Sequence, residues 1–252
     1  MTWIATSGIT APEDVALCAG VGVDAVGVVV DSPTRVPWGL RIDEAEELFT
    51  TWPAGPQRLV VVGDDPDLAL RVVRSLAPDV VHLHAPTLHL PGALDHTART
   101  VRLLHEHDVR VMRTLRLAAA DGRTIGPPSG AEDPVRAARA LADTGVDLLM
   151  VDLVGAPARA SSPAGAEVPP GLRAARAVRD GVDVPVVLAG GLRPETVGAA
   201  LAAVGPYGVD VIRGVEQPLP SHRKSPERLA AFVAAVRAHD GGSLLIGEAP
   251  GA

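Results

Sequence analysis

Acids, imidazoles and guanidiniums stand at or near the ends of short apolar runs in this chain. Asp152 lies inside the apolar run LLMVDLVG, where desolvation would favour the protonated carboxyl group and so a general acid. The alternatives for Asp152 are a solvated loop acid and a helix cap. Two further runs carry the pairs His82 and His84, and Arg113 and Arg116. This combination suits proton transfer on an anionic substrate.

Glycines follow the last two apolar runs. Gly190 and Gly191 end one run, and Gly214, preceded by Arg213, ends the next. Backbone N–H groups without side chains can approach phosphate oxygens closely, so two adjacent loops of this kind predict a phosphate site. Arg213 would add a charge-assisted contact. The alternative is that these glycines only permit tight turns.

The elements that carry these residues alternate in a regular order. Eight short β-branched runs predict strands at Trp3–Thr6, Ala25–Val30, Arg58–Val62, Val80–Leu83, Val109–Leu115, Leu148–Val151, Pro185–Leu188 and Val209–Ile212. Segments of helical period predict helices at Pro12–Ala19, Ile42–Phe49, Pro66–Leu76, Thr97–His107, Pro134–Thr144, Leu172–Arg179, Pro194–Val204 and Pro226–His239.

Strict alternation of strand and helix predicts an α/β protein with a single (β/α)8 TIM barrel over residues 1–239, followed by a disordered tail over residues 240–252. A doubly wound open sheet would need a GxGxxG turn after the first strand, and SGIT is not one. In a barrel, the carboxyl ends of all strands meet at one face. Ser7 after the first strand and Asp31 and Arg35 after the second therefore join the candidates above.

Composition excludes several classes of protein. A net charge of −7 and 2% aromatic residues argue against nucleic-acid binding, and no long apolar run predicts a membrane span. The N-terminus has no signal-peptide pattern, so we expect a cytoplasmic protein. Cys18 is the single cysteine, and we expect neither a metal site nor a cofactor. Lys224 is the single lysine and precedes the last helix, which argues against a Schiff-base aldolase.

Six segments, which together span about residues 3–238, resemble motifs of the phosphoribosylanthranilate isomerase family. SGITAPED resembles CGIT-x-PED, VHLH resembles VQLH, VMRTLR resembles VIKAIR, LAGGLRPE resembles LAGGLNPEN, PYGVDV with GVE resembles PYGVDVSSGVE, and KSP with the last helix resembles KDPEKI.

The resemblance implies an Amadori rearrangement of a phosphoribosyl-amine in tryptophan biosynthesis, by a monomer or homodimer with no cofactor. It implies that Asp152 is the general acid and that Arg35 binds the aromatic carboxylate of the substrate. The phosphate would bind at the loops after the seventh and eighth strands. His82, His84 and Arg113 are expected to contact the small phosphorylated substrate. The fold expected for the family is the same barrel.

The chain departs from the family motifs around the substrate. Ser7 stands where the family has its catalytic base, a cysteine, and Ala5 replaces the lysine two residues before it. His82 replaces a glutamine, Ile212-Arg213 replaces a double serine, and the GGTG of the sixth loop is absent.

A serine hydroxyl is a poor base unless a neighbouring group activates it. Asp31 or an imidazole of the fourth strand would then replace the thiol, and Asp31 is favoured because the first two strands are neighbours. We therefore expect poor turnover of phosphoribosylanthranilate and a gain on Ser7→Cys. The alternatives are a non-catalytic phosphosugar-binding barrel and another phosphate-barrel enzyme, such as an epimerase or a lyase.

Overall fold

Eight parallel strands close into a barrel in the computed structural model, which describes residues 1–32, 36–85, 87–128, 131–155 and 168–246. The strands are β1 (Trp3–Thr6), β2 (Ala25–Val30), β3 (Gln57–Val62), β4 (Val80–Leu83), β5 (Arg110–Ala118), β6 (Leu148–Val154), β7 (Val186–Ala189) and β8 (Gly208–Val211). Strand β1 pairs with both β2 and β8, which closes the barrel and confirms the predicted (β/α)8 fold. A two-residue strand, Gly39–Leu40, adds to the end of β2.

A helix follows each strand. The helices are α1 (Pro12–Val21), α2 (Ile42–Thr50), α3 (Pro66–Leu76), α4 (Ala93–His105), α5 (Pro134–Ala142), α6 (Pro170–Gly181), α7 (Val197–Val204) and α8 (Pro226–Ile246). The side chain of Asp65 accepts hydrogen bonds from two backbone N–H groups at the start of α3, and that of Asp133 accepts one, from Arg136, at the start of α5. Among the residues that the structure describes, no helix is long and apolar enough to cross a membrane.

Two strands and one helix run at least three residues past their predicted ends. Strands β5 and β6 continue side by side as far as the pair Ala118–Val154, so that Arg116 lies opposite Asp152. Helix α8 continues to Ile246, seven residues beyond the predicted end at His239. Near the start of this extension the carboxylate of Asp240 accepts hydrogen bonds from the backbone N–H and the hydroxyl of Thr2. This contact joins the start of the chain to its last helix. Residues 247–252 lie outside the described residues.

The period of two along each strand decides which side chains face the barrel interior. The interior is filled by one apolar cluster, which holds Trp3, Ala5, Ala25, Val29, Leu59, Val61, Val80, Met112, Leu148, Met150, Val187 and Ala189. His82, Thr114, Asp152 and Asp210 each stand two residues beyond an inward position of their own strand, Val80, Met112, Met150 and Gly208 respectively. These four polar side chains therefore form the upper layer of the interior, at the carboxyl end of the barrel.

Candidate active site

A cavity of about 660 Å³ opens at the carboxyl ends of the strands. Its polar lining comes from the ends of seven strands and the loops that follow them, and includes Ser7, Ser32, His82, His84, Arg116, Asp152, Gly190, Gly191, Arg193, Asp210, Arg213 and Gly214. The apolar lining includes Val29, Val36, Trp38, Val61, Met150, Ala189, Leu192 and Ile212. The cavity therefore brings together most of the residues that the sequence predicted to converge.

Ser7 is hydrogen-bonded to a carboxylate that the sequence analysis did not single out. Its Oγ donates to Oδ1 of Asp210 at 3.1 Å, and both side chains are buried. The space for Ser7 exists because residue 27 of the neighbouring strand is glycine: a Cβ at Gly27 would overlap Ser7 Oγ. The histidines of β4 hydrogen-bond Thr114 instead of Ser7. Asp210 is thus the acid that stands beside the position of the family's thiol.

Burial raises the pKa of Asp210 to about 6, because the surrounding barrel disfavours the charged carboxylate. The hydrogen bond from Ser7 and the positive charge of Lys224 oppose this rise, while the charge of Asp152 adds to it. Near neutral pH Asp210 is therefore mostly ionised, and its pKa is close to the value that suits a general base.

Lys224 fixes the backbone on which Ser7 stands. Its fully buried ammonium group donates to the carbonyl oxygen of Ser7 at 2.9 Å and to that of Ile212 at 3.2 Å. The carboxylate of Glu216 lies 3.7 Å away, and desolvation lowers the pKa of the lysine. This arrangement ties the ends of β1 and β8 together, so Lys224 holds Ser7 and Asp210 in register.

Asp152 lies on β6, which is separated from the β8 strand of Asp210 by β7 alone, and it is partly open to the cavity. Its side chain is 25% exposed, and Oδ2 lies 4.0 Å from Nε of Arg116. The apolar run around Asp152 had suggested a desolvated carboxyl group. The structure shows that the flanking apolar residues face the helix layer or the core, while Asp152 itself faces the mouth of the cavity.

The two histidines of β4 meet at one hydroxyl group. His82 Nε2 lies 2.6 Å from Oγ1 of Thr114, and His84 Nδ1 lies 3.1 Å from the same oxygen. Their rings meet edge to face with centroids 5.4 Å apart. Desolvation lowers the pKa of both imidazoles, and the positive charge of Arg113 lowers both further. Both rings are therefore neutral near pH 7.

The glycines predicted to bind phosphate line one side of the cavity together with Arg213. Gly190 and Gly191 both have positive φ, at 96° and 66°, and a Cβ at Gly190 would overlap the backbone of Leu153. A Cβ at Gly214 would overlap the carbonyl oxygen of Leu192. These positions therefore require glycine for close backbone packing, and their place at the cavity is compatible with an anion site as well.

Trp38 contributes an aromatic wall that the sequence analysis missed. It follows β2 in a loop, lies over Gly8 and makes an edge-to-face contact with His222 at 5.7 Å between ring centroids. Together with Val29, Val36 and Val61 it forms the apolar side of the cavity. No periodic pattern in the sequence points to Trp38, because its position depends on the path of a loop.

Two sequence expectations are not supported by the positions of the residues. Asp31 is exposed, has a positive φ of 42° and does not line the cavity, so it is not placed to replace the thiol. Arg113 points away from the barrel interior: it is buried, and its guanidinium pairs with Asp64 at 2.9 Å and donates to Leu83 O. Arg113 therefore anchors the loop that follows β3. Arg35 lies outside the described residues.

Metal-ligating side chains do not converge in the part of the chain that the structure describes. No three residues among its histidines, aspartates, glutamates and the cysteine come together as a metal ion would require. The described residues that line the cavity bring carboxylates, imidazoles, guanidiniums and backbone N–H groups to it.

Comparison with known proteins identifies the family of the chain. A family model described as N-(5'-phosphoribosyl)anthranilate (PRA) isomerase matches residues 124–235. The N-(5'-phosphoribosyl)anthranilate isomerase of Haloferax volcanii is 34% identical over 238 residues, which cover 94% of this chain and 94% of the relative.

Solved structures have the same fold. The structure of TrpF from Jonesia denitrificans superposes with a TM-score of 0.70 at 26% identity, and covers 95% of this chain and 98% of its own. A phosphoribosyl anthranilate isomerase in complex with reduced 1-(o-carboxyphenylamino)-1-deoxyribulose 5-phosphate gives a TM-score of 0.68 at 22% identity, and covers 94% and 100%. On the strength of the sequence relatives, the chain belongs to the phosphoribosylanthranilate isomerase family.

Proposed function

We propose that this chain isomerises a phosphorylated ribosyl-amine, N-(5'-phosphoribosyl)anthranilate or a close analogue, to the corresponding 1-amino-1-deoxyribulose phosphate. The observation that carries the proposal is the pairing of two carboxylates on one cavity. Asp152 on β6 and Asp210 on β8, with Ser7 bonded to Asp210, both line the cavity. An Amadori rearrangement needs one acid and one base, and the residues of a single chain supply both. A monomer or a homodimer in the cytoplasm could carry out the reaction on this small phosphorylated substrate.

Asp152 is the general acid in this proposal. Its carboxyl group donates a proton to the ring oxygen as the bond between that oxygen and C1 breaks, and the amine nitrogen forms a double bond to C1. Arg116, 4.0 Å from Asp152, can hold the carboxylate that remains. The open position of Asp152 at the cavity mouth allows it to reach the substrate and to regain a proton from water.

Asp210 is the base in this proposal, in place of the family's thiol and of Asp31. It removes the proton from C2, either directly or through the hydroxyl of Ser7, and the C1–C2 double bond of an enolamine forms. Ketonisation then moves the hydroxyl proton from O2 and places a proton on C1. The 3.1 Å hydrogen bond from Ser7 orients the carboxylate, and Lys224 holds the loop that carries Ser7.

The phosphate is expected to bind at the glycines after β7 and β8. Gly190, Gly191, Arg213 and Gly214 line the cavity and follow the two neighbouring strands β7 and β8, and glycine backbone N–H groups can approach phosphate oxygens closely. We expect Arg213→Ala to raise KM about tenfold with kcat little changed, since it removes one exposed charge-assisted contact to an unreacting group. Steady-state kinetics measures this, with Arg71→Ala on the exposed face of α3 as the control.

A crystal structure in high sulfate tests the same site directly. An anion held by these backbone N–H groups is the expected result. Arg213 folded into an anion-free site, together with an unchanged KM for Arg213→Ala, would contradict the assignment.

The pH dependence of catalysis tests the base. Asp210 must be ionised to accept a proton, so kcat/KM should fall as the pH drops through about 6, the pKa to which burial raises this carboxyl group. The hydrogen bond from Ser7 lowers that pKa, so Ser7→Ala should move the acidic limb to higher pH. The pH profiles of the two proteins on phosphoribosylanthranilate measure the shift.

The matched control is Ser75→Ala on the exposed face of α3, which should keep the native profile. A limb that stays in place in Ser7→Ala would show that the titrating group is not the carboxylate bonded to Ser7. A chain without turnover on phosphoribosylanthranilate or on related ribosyl-amines would favour a binding protein or another reaction of a phosphosugar.

A further inference from the structure

We propose that His82 and Thr114 are positioning residues that hold His84 with its proton on Nε2, so that His84 donates a hydrogen bond to an acceptor oxygen of the bound ligand. The ligand class is a compound whose carbonyl, hydroxyl or carboxylate oxygen reaches the carboxyl end of β4. The identity of that ligand rests on the proposed function, whereas the proton position on His84 does not.

The geometry leaves one nitrogen of each ring for other partners. Oγ1 of Thr114 lies 2.6 Å from His82 Nε2 and 3.1 Å from His84 Nδ1, and both Thr114 and His82 are 3% exposed. His84 is exposed at the cavity, and its Nε2 has no hydrogen-bond partner among the described residues. His82 Nδ1 is buried and also lacks a partner there.

The number of protons restricts this network to three arrangements. A neutral imidazole carries one N–H, and the threonine hydroxyl can donate one proton and accept up to two. Thr114 donates to His84 Nδ1 and accepts from His82 Nε2, or both directions reverse, or Thr114 accepts from both rings, which leaves its buried hydroxyl proton without an acceptor among the described residues. In the first arrangement His84 presents an N–H at Nε2 and His82 Nδ1 is a lone pair. In the second, His84 Nε2 is a lone pair and His82 Nδ1 carries a buried N–H.

Burial distinguishes the three arrangements. An orphaned buried donor is rarer in proteins than an acceptor whose lone pairs are not all used, because the unmet donor loses its full solvation. The second arrangement orphans an N–H on His82 Nδ1 and the third orphans the hydroxyl proton of Thr114, so the first arrangement holds. Neutrality of both rings, which the proton count assumes, follows from the desolvation that lowers the pKa of each.

Both positioning residues depart from the family motifs at the same time. His82 replaces the glutamine of VQLH, and Thr114 replaces the alanine of VIKAIR, while His84 matches the motif. The two replaced side chains are hydrogen-bonded to each other and to the matching histidine. The network is thus a property of this chain's own residues, built around an imidazole at the cavity.

The assignment changes the role that His84 can have. With Nε2 protonated and Nδ1 occupied by Thr114, the ring offers a hydrogen-bond donor and no accessible lone pair. It can polarise a carbonyl oxygen or stabilise a developing enolate, as neutral imidazoles do at other active sites. It cannot remove a proton from C2, which leaves that step to Asp210.

Nitrogen NMR of the ¹⁵N-labelled chain near neutral pH tests the proton positions without any ligand. Long-range proton–nitrogen correlations should show both His82 and His84 protonated at Nε2, since the first arrangement requires it of both rings. Finding His84 protonated at Nδ1, whatever the proton position on His82, would overturn the proposal. Thr114→Val should move the His84 Nδ1 resonance toward the value of an unprotonated imidazole nitrogen that accepts no hydrogen bond. Thr114→Ser should restore the native resonance. An unchanged resonance in Thr114→Val would also overturn it.

The contact with a ligand is tested with reduced 1-(o-carboxyphenylamino)-1-deoxyribulose 5-phosphate. Its binding should shift the Nε2–H resonance of His84, and Thr114→Val should weaken binding roughly fivefold, the usual net worth of one hydrogen bond. Binding without any shift at His84 would refute the donor contact. A native chain that does not bind this compound would instead contradict the proposed function, and the proton positions measured without ligand would stand.

Discussion

Asp210→Asn is expected to lower kcat by about 100-fold to 10,000-fold, the range in which positioned acid–base groups contribute. The amide can still accept the hydrogen bond from Ser7, so the local geometry is kept while the ability to take up a proton is lost. KM should change little, because the proton is removed in the transition state and not on binding. Steady-state kinetics on phosphoribosylanthranilate measures both constants.

The same variant should not be destabilised near neutral pH. The carboxyl group of Asp210 has its pKa raised to about 6 in the fold, so its contribution to stability is present at low pH and is lost as the pH rises through that value. Removing the buried charge should leave the thermal midpoint near pH 7 unchanged or higher. Asp67→Asn, on the exposed first turn of α3, is the matched control. Native turnover in a folded Asp210→Asn would contradict the role of Asp210 as the base.

Asp152→Asn is expected to lower kcat by at least about 100-fold, since ring opening would lose its proton donor. The side chain is partly exposed, and its ion-pair partner among the described residues is Arg116 at 4.0 Å, so the fold should be retained. A substrate analogue whose ring is already open would bypass the protonation step. The variant should therefore regain most of its activity on such a compound.

The Asp152 prediction has two distinct negative results. Unchanged turnover of the closed-ring substrate would remove Asp152 from the mechanism. An equal loss on closed-ring and open-ring substrates would assign Asp152 to binding or to a later proton transfer, and not to ring opening. Arg116, which lies beside Asp152, is left unaltered in both experiments.

The barrel was predictable because each strand is a short β-branched run between helices of clear period. The ends of β5 and β6 were not, since the Gly/Pro-rich segment after Leu117 gives no sign that two strands pair for three further residues. The end of α8 was missed for a similar reason: Gly241 and Gly242 are poor helix formers, and the helix continues past them.

The alternation of inward and outward side chains along a strand predicts which residues near a strand end face the cavity. Asp210 lies inside β8, two residues after the inward Gly208, and this count alone places it in the barrel beside Ser7. Arg113 follows the inward Met112 by one residue, and the same count turns it toward the helices. Asp31 could not be placed by counting, because its left-handed backbone interrupts the period of the strand.

Residues on loops depend on contacts that no local pattern records. Trp38 reaches the cavity through the path of the chain after β2, and Lys224 reaches Ser7 across 217 positions of sequence. Its position in the sequence excluded Lys224 from Schiff-base chemistry. Its role in holding the carbonyl oxygens of Ser7 and Ile212 became evident only from the folded structure.

Steady-state turnover of phosphoribosylanthranilate by the native chain, Ser7→Cys and Asp210→Asn tests the central claim most directly. The account predicts measurable turnover by the native chain, a gain in Ser7→Cys, where a thiol with a pKa near 8.5 returns beside the carboxylate, and loss in Asp210→Asn. Absence of turnover in both the native chain and Ser7→Cys, or full turnover in Asp210→Asn, would contradict it.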